Sequence, residues 1–153
     1  MRTPDAQEVE PSEVTIRCLD DPATVLRLTH RYRPDESGIG FAVEVRAEGL
    51  QARVDGVEVW VWDEPGLADF FVQVAADFRG WHGERTWQTN HLKVSAVART
   101  GGHVGLTWTL RPRLTRDAPW ESTVTTWIEA GEQAKNLAAD IRDFLALEHR
   151  DHA

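Results

Sequence analysis

The stretch DEPGLADFFVQVAADFRGWHGERTW, residues 63–87, decides the fold, because within it a strand ends, a helix runs and the chain returns to extended structure. From Leu67 the apolar residues fall at Phe70, Phe71, Val74, Ala75 and Phe78, the spacing of a helix with one buried stripe. The pattern predicts a helix from about Gly66 to Arg79. Pro65 stands where a missing N–H costs nothing, Asp63 and Glu64 suit the positive end, and Gly80 supplies a left-handed stop.

Upstream of that helix the period changes to two. Val14, Ile16 and Cys18 alternate with Thr15 and Arg17, and Asp20, Asp21 and Pro22 then form a turn. A second strand over Thr24 to Tyr32 places Leu26, Leu28, His30 and Tyr32 on one face, opposite Arg27, Thr29 and Arg31. Phe41, Val43, Val45 and Ala47 alternate cleanly with Ala42, Glu44, Arg46 and Glu48, which is the signature of a half-exposed antiparallel strand. Gly49 bends the chain into Leu50 to Val54, and Asp55-Gly56 is the two-residue signal of a hairpin into Val57 to Trp62. In that last segment Val57, Val59 and Val61 point one way and Trp60 and Trp62 the other. Either both faces are covered or the indoles form a surface patch.

Downstream, Arg85 to Gln88 is extended, and two alternating runs, Leu92 to Arg99 and Val104 to Arg111, flank a turn at Thr100 to Gly102. Trp120 to Ile128 is a β-branched run, with Val124, Thr126 and Ile128 facing one way and Thr123, Thr125 and Trp127 the other. From Gly131 the stripe Ala134, Leu137, Ala138, Ile141, Phe144 and Leu145 predicts a second helix reaching about Leu147. Residues 1–12 and 148–153 are polar tails with nothing to bury, which leaves one domain over 13–147. Strands, helix, strands, helix is the order of an α+β domain. We expect a largely antiparallel sheet of about seven strands with two helices packed on one face.

At 153 residues and 41% hydrophobic, one domain can bury a substantial core. A single cysteine excludes an internal disulfide, and Cys18 reads as a small buried residue in a strand. No apolar leader and no run of about 18 apolar residues occurs, so a cytoplasmic protein outside the membrane is expected. Seventeen Lys and Arg against 25 Asp and Glu give a formal charge of −8, which repels nucleic acid and suits a basic partner.

The chemistry-bearing residues do not assemble into a motif. His82, His91 and His103 lie on separate segments without ligand spacing, and His149 and His152 sit in the tail. Ser12, Ser37, Ser95 and Ser122 lack the glycines of a nucleophile elbow. The pairs Asp20/Asp21, Asp63/Glu64 and Asp140/Asp143 read as a turn, a helix start and a polar helix face. No phosphate loop and no dinucleotide fingerprint is present. No catalytic residue, metal ligand or cofactor is therefore expected. The seven tryptophans remain to be explained, since an indole with one apolar and one polar end serves cores and interfaces alike. Trp127, with Trp60 and Trp62, is the candidate for a patch on the sheet face away from the helices, a surface that could also serve a homo-oligomer. Trp81, His82, Arg85, Trp87 and His103 complete the set of candidate binding residues.

Phe78-Arg79-Gly80-Trp81-His82-Gly83-Glu84-Arg85-Thr86-Trp87, Gly102-His103-Val104-Gly105-Leu106 and Gly131-Glu132-Gln133 together resemble a family of small uncharacterised proteins from high-GC bacteria. More distantly, the layout over about Phe41 to Leu147 is similar to the WapI-type immunity proteins, which neutralise a toxin delivered by a neighbouring cell. That resemblance implies a non-enzymatic cytoplasmic protein-binding domain with a basic partner such as a toxin domain. The alternative is a small-molecule-binding module or enzyme with a Trp-lined pocket between sheet and helices, using His82 or His103 as polar groups.

Overall fold

The computed structural model describes residues 13–146. The tails expected at 1–12 and 148–153 lie outside the described residues, as do His149 and His152. Eight strands and two helices follow in the order β1 (Val14–Cys18), β2 (Asp21–Tyr32), β3 (Gly38–Ala47), β4 (Leu50–Trp60), α1 (Leu67–Ala76), β5 (Glu84–Gln88), β6 (Leu92–Arg99), β7 (His103–Leu110), β8 (Ser122–Glu129) and α2 (Glu132–Leu145).

The class is α+β and every pairing between neighbouring strands is antiparallel, as expected. The single sheet of about seven strands is corrected to two four-stranded sheets, β1-β2-β3-β4 and β5-β6-β7-β8. They meet where the edge strands β1 and β8 adjoin, and there the Leu19 N–H donates to the Trp127 carbonyl at 2.9 Å.

Both helices cover one face of this double layer. Phe71 of α1 stacks on Trp108 of β7 with centroids 5.9 Å apart, and Phe144 of α2 meets the Phe41 ring of β3 edge-on at 5.7 Å. One continuous core joins the two sheets and the two helices. Each of those fully buried side chains contributes about 1.5–3 kcal/mol by removal from water alone. Trp108 keeps its polar end satisfied by donating to the Thr126 hydroxyl at 3.0 Å. From the other side of α2, the Arg31 guanidinium donates to the Phe144 carbonyl at 2.9 Å and closes the last turn of that helix.

Three local readings need correction. Asp55-Gly56 is not a hairpin turn. Phe41 pairs with Val57 and Val43 with Val54, so Ala42 alone faces both residues across a bulge in one continuous strand. Gly56, at φ +73, serves a bulge as readily as a turn. The turn lies instead at Glu48-Gly49, between the paired Ala47 and Leu50. In β2 a register shift falls between Thr29 and Tyr32, with His30 at φ +55. Thr29 is therefore buried, while His30 and Tyr32 leave the core face. Finally, α1 stops at Ala76, and Phe78 lies beyond it at 55% exposure instead of on the buried stripe. Asp77 is gripped by Arg85 at 2.5 Å, which draws the chain into a turn closed by the Gly80 N–H on the Asp77 carbonyl.

Among the described residues no helix is long and apolar enough to cross a membrane.

Candidate functional site

The most exposed large apolar side chains stand where β4 ends: Val61 is 74% and Trp62 65% exposed. The strand alternation predicted over Val57 to Trp62 holds as far as Val59, which is buried. It fails beyond Trp60 because the chain leaves the sheet there.

The local geometry explains why these side chains stand out in a fixed arrangement. Asp63 folds back on the strand end: the Trp60 N–H donates to the Asp63 carboxylate at 2.8 Å, and the Asp63 N–H donates to the Trp60 carbonyl at 3.0 Å. Val61 N–H donates to the Ser37 carbonyl at 3.0 Å, which holds the turn on β3. Directly across the ladder from Trp60 is Gly38. The indole lies on that glycine so closely that a Cβ there would sit 2.5 Å from Trp60 Cε3. Trp62 then stacks on Trp60, with centroids 5.1 Å apart and planes 6° from parallel. Backbone, inner indole and outer indole thus form three layers, and Trp62 is displayed as a pre-oriented flat platform.

Beside this platform is an open cavity of about 290 Å³ bordered by Glu36, Asp63, Asp69 and Arg33, with Leu67 and Leu145 at its floor. Three carboxylates to one guanidinium make the rim acidic. An apolar centre with a charged border is the anatomy of a protein-contact surface, and aromatic anchors dominate the energetics of such surfaces.

The other candidate residues are distributed differently. Trp87 is 6% exposed and its indole donates to the Pro65 carbonyl at 3.1 Å, so it is a core residue that pins the entry to α1. Trp127 does share the outer face with Thr123 and Thr125, but both faces of its ring are occupied. Gly105 lies beneath it, where a Cβ would come within 2.7 Å, and the Arg99 guanidinium sits above at 3.9 Å. Trp81, His82, Arg85 and His103 gather at the opposite end of α1, around the α1–β5 turn and the β6–β7 hairpin. Arg85 covers the Trp81 ring at 4.4 Å while paired with Asp77. These residues share no lining with the Trp60–Trp62 surface.

Sequence reasoning singled out the indoles but missed Val61, Gly38 and Asp63, which set their exposure and orientation. The available signal was Gly38 and Gly40 two residues apart on one strand face, each opposite an aromatic residue of a neighbouring strand. The space between the sheets and the helices, where the alternative reading placed a pocket, is filled by Phe41, Phe71, Trp108, Phe144 and Ile141. Among the described residues no group of three or more His, Cys, Asp and Glu is placed to hold a metal ion.

A family model described as a family of unknown function, DUF6228, matches residues 17–148. No curated protein and no solved structure matches the chain.

Proposed function

We propose, from the premise that the chain belongs to the DUF6228 family of unknown function, that it is a non-enzymatic protein-binding domain whose contact surface is centred on Trp62 and Val61. The observation that carries this reading is the three-layer stack of Gly38, Trp60 and Trp62. It holds a large indole outward at 65% exposure in one orientation, so little side-chain entropy is lost on binding. The acidic rim at Glu36, Asp63 and Asp69, within a chain of formal charge −8, favours a basic partner and speeds its approach.

The finer reading is a cytoplasmic immunity protein whose basic partner is a toxin domain. It is supported by small size, acidity, a sequence without catalytic motifs and the distant resemblance of the layout over about Phe41 to Leu147 to the WapI-type immunity proteins. Co-expression with the toxin domain encoded beside the gene tests it: growth is rescued and the two proteins co-purify, with Trp62→Ala weakening the complex at least about tenfold, or about 1.4 kcal/mol. If neither rescue nor co-purification is seen, the immunity reading is removed. If a complex forms and Trp62→Ala and Val61→Glu leave its affinity unchanged, the contact surface is elsewhere.

A further inference from the structure

At the far end of α1 the charge balance reverses. Three arginines lie over three aromatic rings there: Arg79 over Phe78 at 5.5 Å, Arg85 over Trp81 at 4.4 Å and Arg99 over Trp127 at 3.9 Å. Arg85 is neutralised by Asp77. Among the described residues, Arg79 and Arg99 have no carboxylate within ion-pair distance.

Both unpaired guanidinium groups line one groove of about 300 Å³, together with Gly80, Trp81, His82 and Thr100. It continues into a smaller recess of about 80 Å³ reached by Gly101, Gly102 and His103. Gly80 in the groove and Gly101 and Gly102 in the recess take positive φ, a conformation that favours glycine, and at these three positions the lining carries no side chain. The indole N–H of Trp81, which lines both spaces, is buried and has no acceptor among the described residues. An unsatisfied buried donor costs about 1–3 kcal/mol. Of the nearby acids, Asp77 is paired with Arg85 and Asp20 accepts from the Cys18 thiol, although Asp20 also feels Arg99 and His103, and Glu129 stands opposite His103 in the ladder.

A guanidinium held over a ring by cation–π attraction still has its N–H groups to offer, and their planar fork takes a carboxylate or phosphate by paired hydrogen bonds. We propose that this groove binds an oxyanion, a carboxylate or phosphate group of a small ligand or of an acidic partner segment, between Arg79 and Arg99. The site is separate from the Trp62 surface and does not depend on the reading of that surface.

The test is an amide-shift titration of the full chain by NMR at constant ionic strength, with inorganic phosphate in one series and acetate in another. Saturable shifts confined to residues 79–82 and 99–103 are expected, weakened at least several-fold by Arg79→Gln and by Arg99→Gln and unaffected by Trp62→Ala. Tighter binding of phosphate assigns a phosphate-bearing ligand, and equal or tighter binding of acetate assigns a carboxylate. Both arginines are on the surface, and unchanged amide dispersion elsewhere shows that the variants fold. Shifts that never saturate, that spread over the whole chain, or that persist when Arg79→Gln and Arg99→Gln are combined overturn the proposal.

Discussion

The backbone N–H of Trp127 donates to the Sγ of Cys18 at 3.3 Å, and the same thiol donates to Asp20 Oδ1 at 3.0 Å. A residue that the sequence presents as a small buried hydrophobe therefore stands at the junction of the two sheets. It satisfies a backbone donor that the edge of β8 would otherwise bury unpaired.

Cys18→Ala leaves that donor without an acceptor, and the expected cost is about 1–3 kcal/mol in urea unfolding. Cys18→Ser restores an acceptor and a donor and is expected to cost less than Cys18→Ala. Equal stability of Cys18→Ala and the parent would show that the thiol contact contributes nothing.

Two aspartates give opposite pH dependences. Asp20 is held below its ordinary value of 3.8, chiefly by the Cys18 hydrogen bond, which outweighs the opposing effect of burial; its own backbone, Arg99 and His103 lower it further. Its contribution to stability is present above the unfolded value and lost as pH falls through the folded one. Asp140 is raised above 3.8, first by burial and then by Asp143 one turn along α2. What it contributes is present below the unfolded value and lost as pH rises through the folded one. Asp20→Ala is thus expected to be less stable than the parent near neutrality, and Asp140→Asn more stable, with both gaps narrowing in acid. Unfolding curves at a series of pH values check both signs, and NMR titration of Asp20 in Cys18→Ala should show its pKa moving up towards 3.8.

Gly38→Ala places a Cβ 2.5 Å from Trp60 Cε3, on a ring held from both sides. Overpacking of this kind costs about 1–3 kcal/mol. The more informative readout is the exciton signal of the stacked Trp60–Trp62 pair in circular dichroism, which should collapse. Its persistence would mean that the inner indole does not depend on the missing Cβ.

Arg111 is 6% exposed and donates to the Asn90 and Thr89 carbonyls and to Gln88 Oε1, at 3.3, 3.0 and 2.9 Å. It tethers the loop between β5 and β6. Removing it strands three acceptors, and Arg111→Ala is expected to lose about 3 kcal/mol, the upper range for a single substitution. Arg111→Lys should recover little, because one ammonium on a flexible stem does not match a planar fork. Full rescue by lysine in thermal unfolding would contradict this account.

These outcomes also mark what was legible in the sequence. The stripes of α1 and α2 could be read directly, because Leu67, Phe70, Phe71 and Val74, and Ala134, Leu137, Ala138, Ile141 and Phe144, report one buried face each. The division into two sheets was not legible, since the junction of β1 and β8 depends on contacts between Cys18, Leu19 and Trp127, more than a hundred residues apart. Asp55-Gly56 was misread because a left-handed glycine fits a turn and a bulge equally well. Phe78 was misread because the end of α1 is set by the Asp77–Arg85 pair. At the site, the indoles were visible as residue types. Their presentation was not, because it is decided by a glycine on the neighbouring strand.

Three rings, Tyr32, Trp60 and Trp127, each lie over the directly opposed glycine, Gly40, Gly38 and Gly105. Each such fit works like a key in a keyway, because a strand displaced along its neighbour would drive the ring into a side chain that cannot yield. Misaligned hairpins are thereby penalised during folding on a face with no core to correct them. The glycines of β3 and β7 thus act as proofreading marks, and their value lies less in native stability than in how few wrong sheets the chain can build.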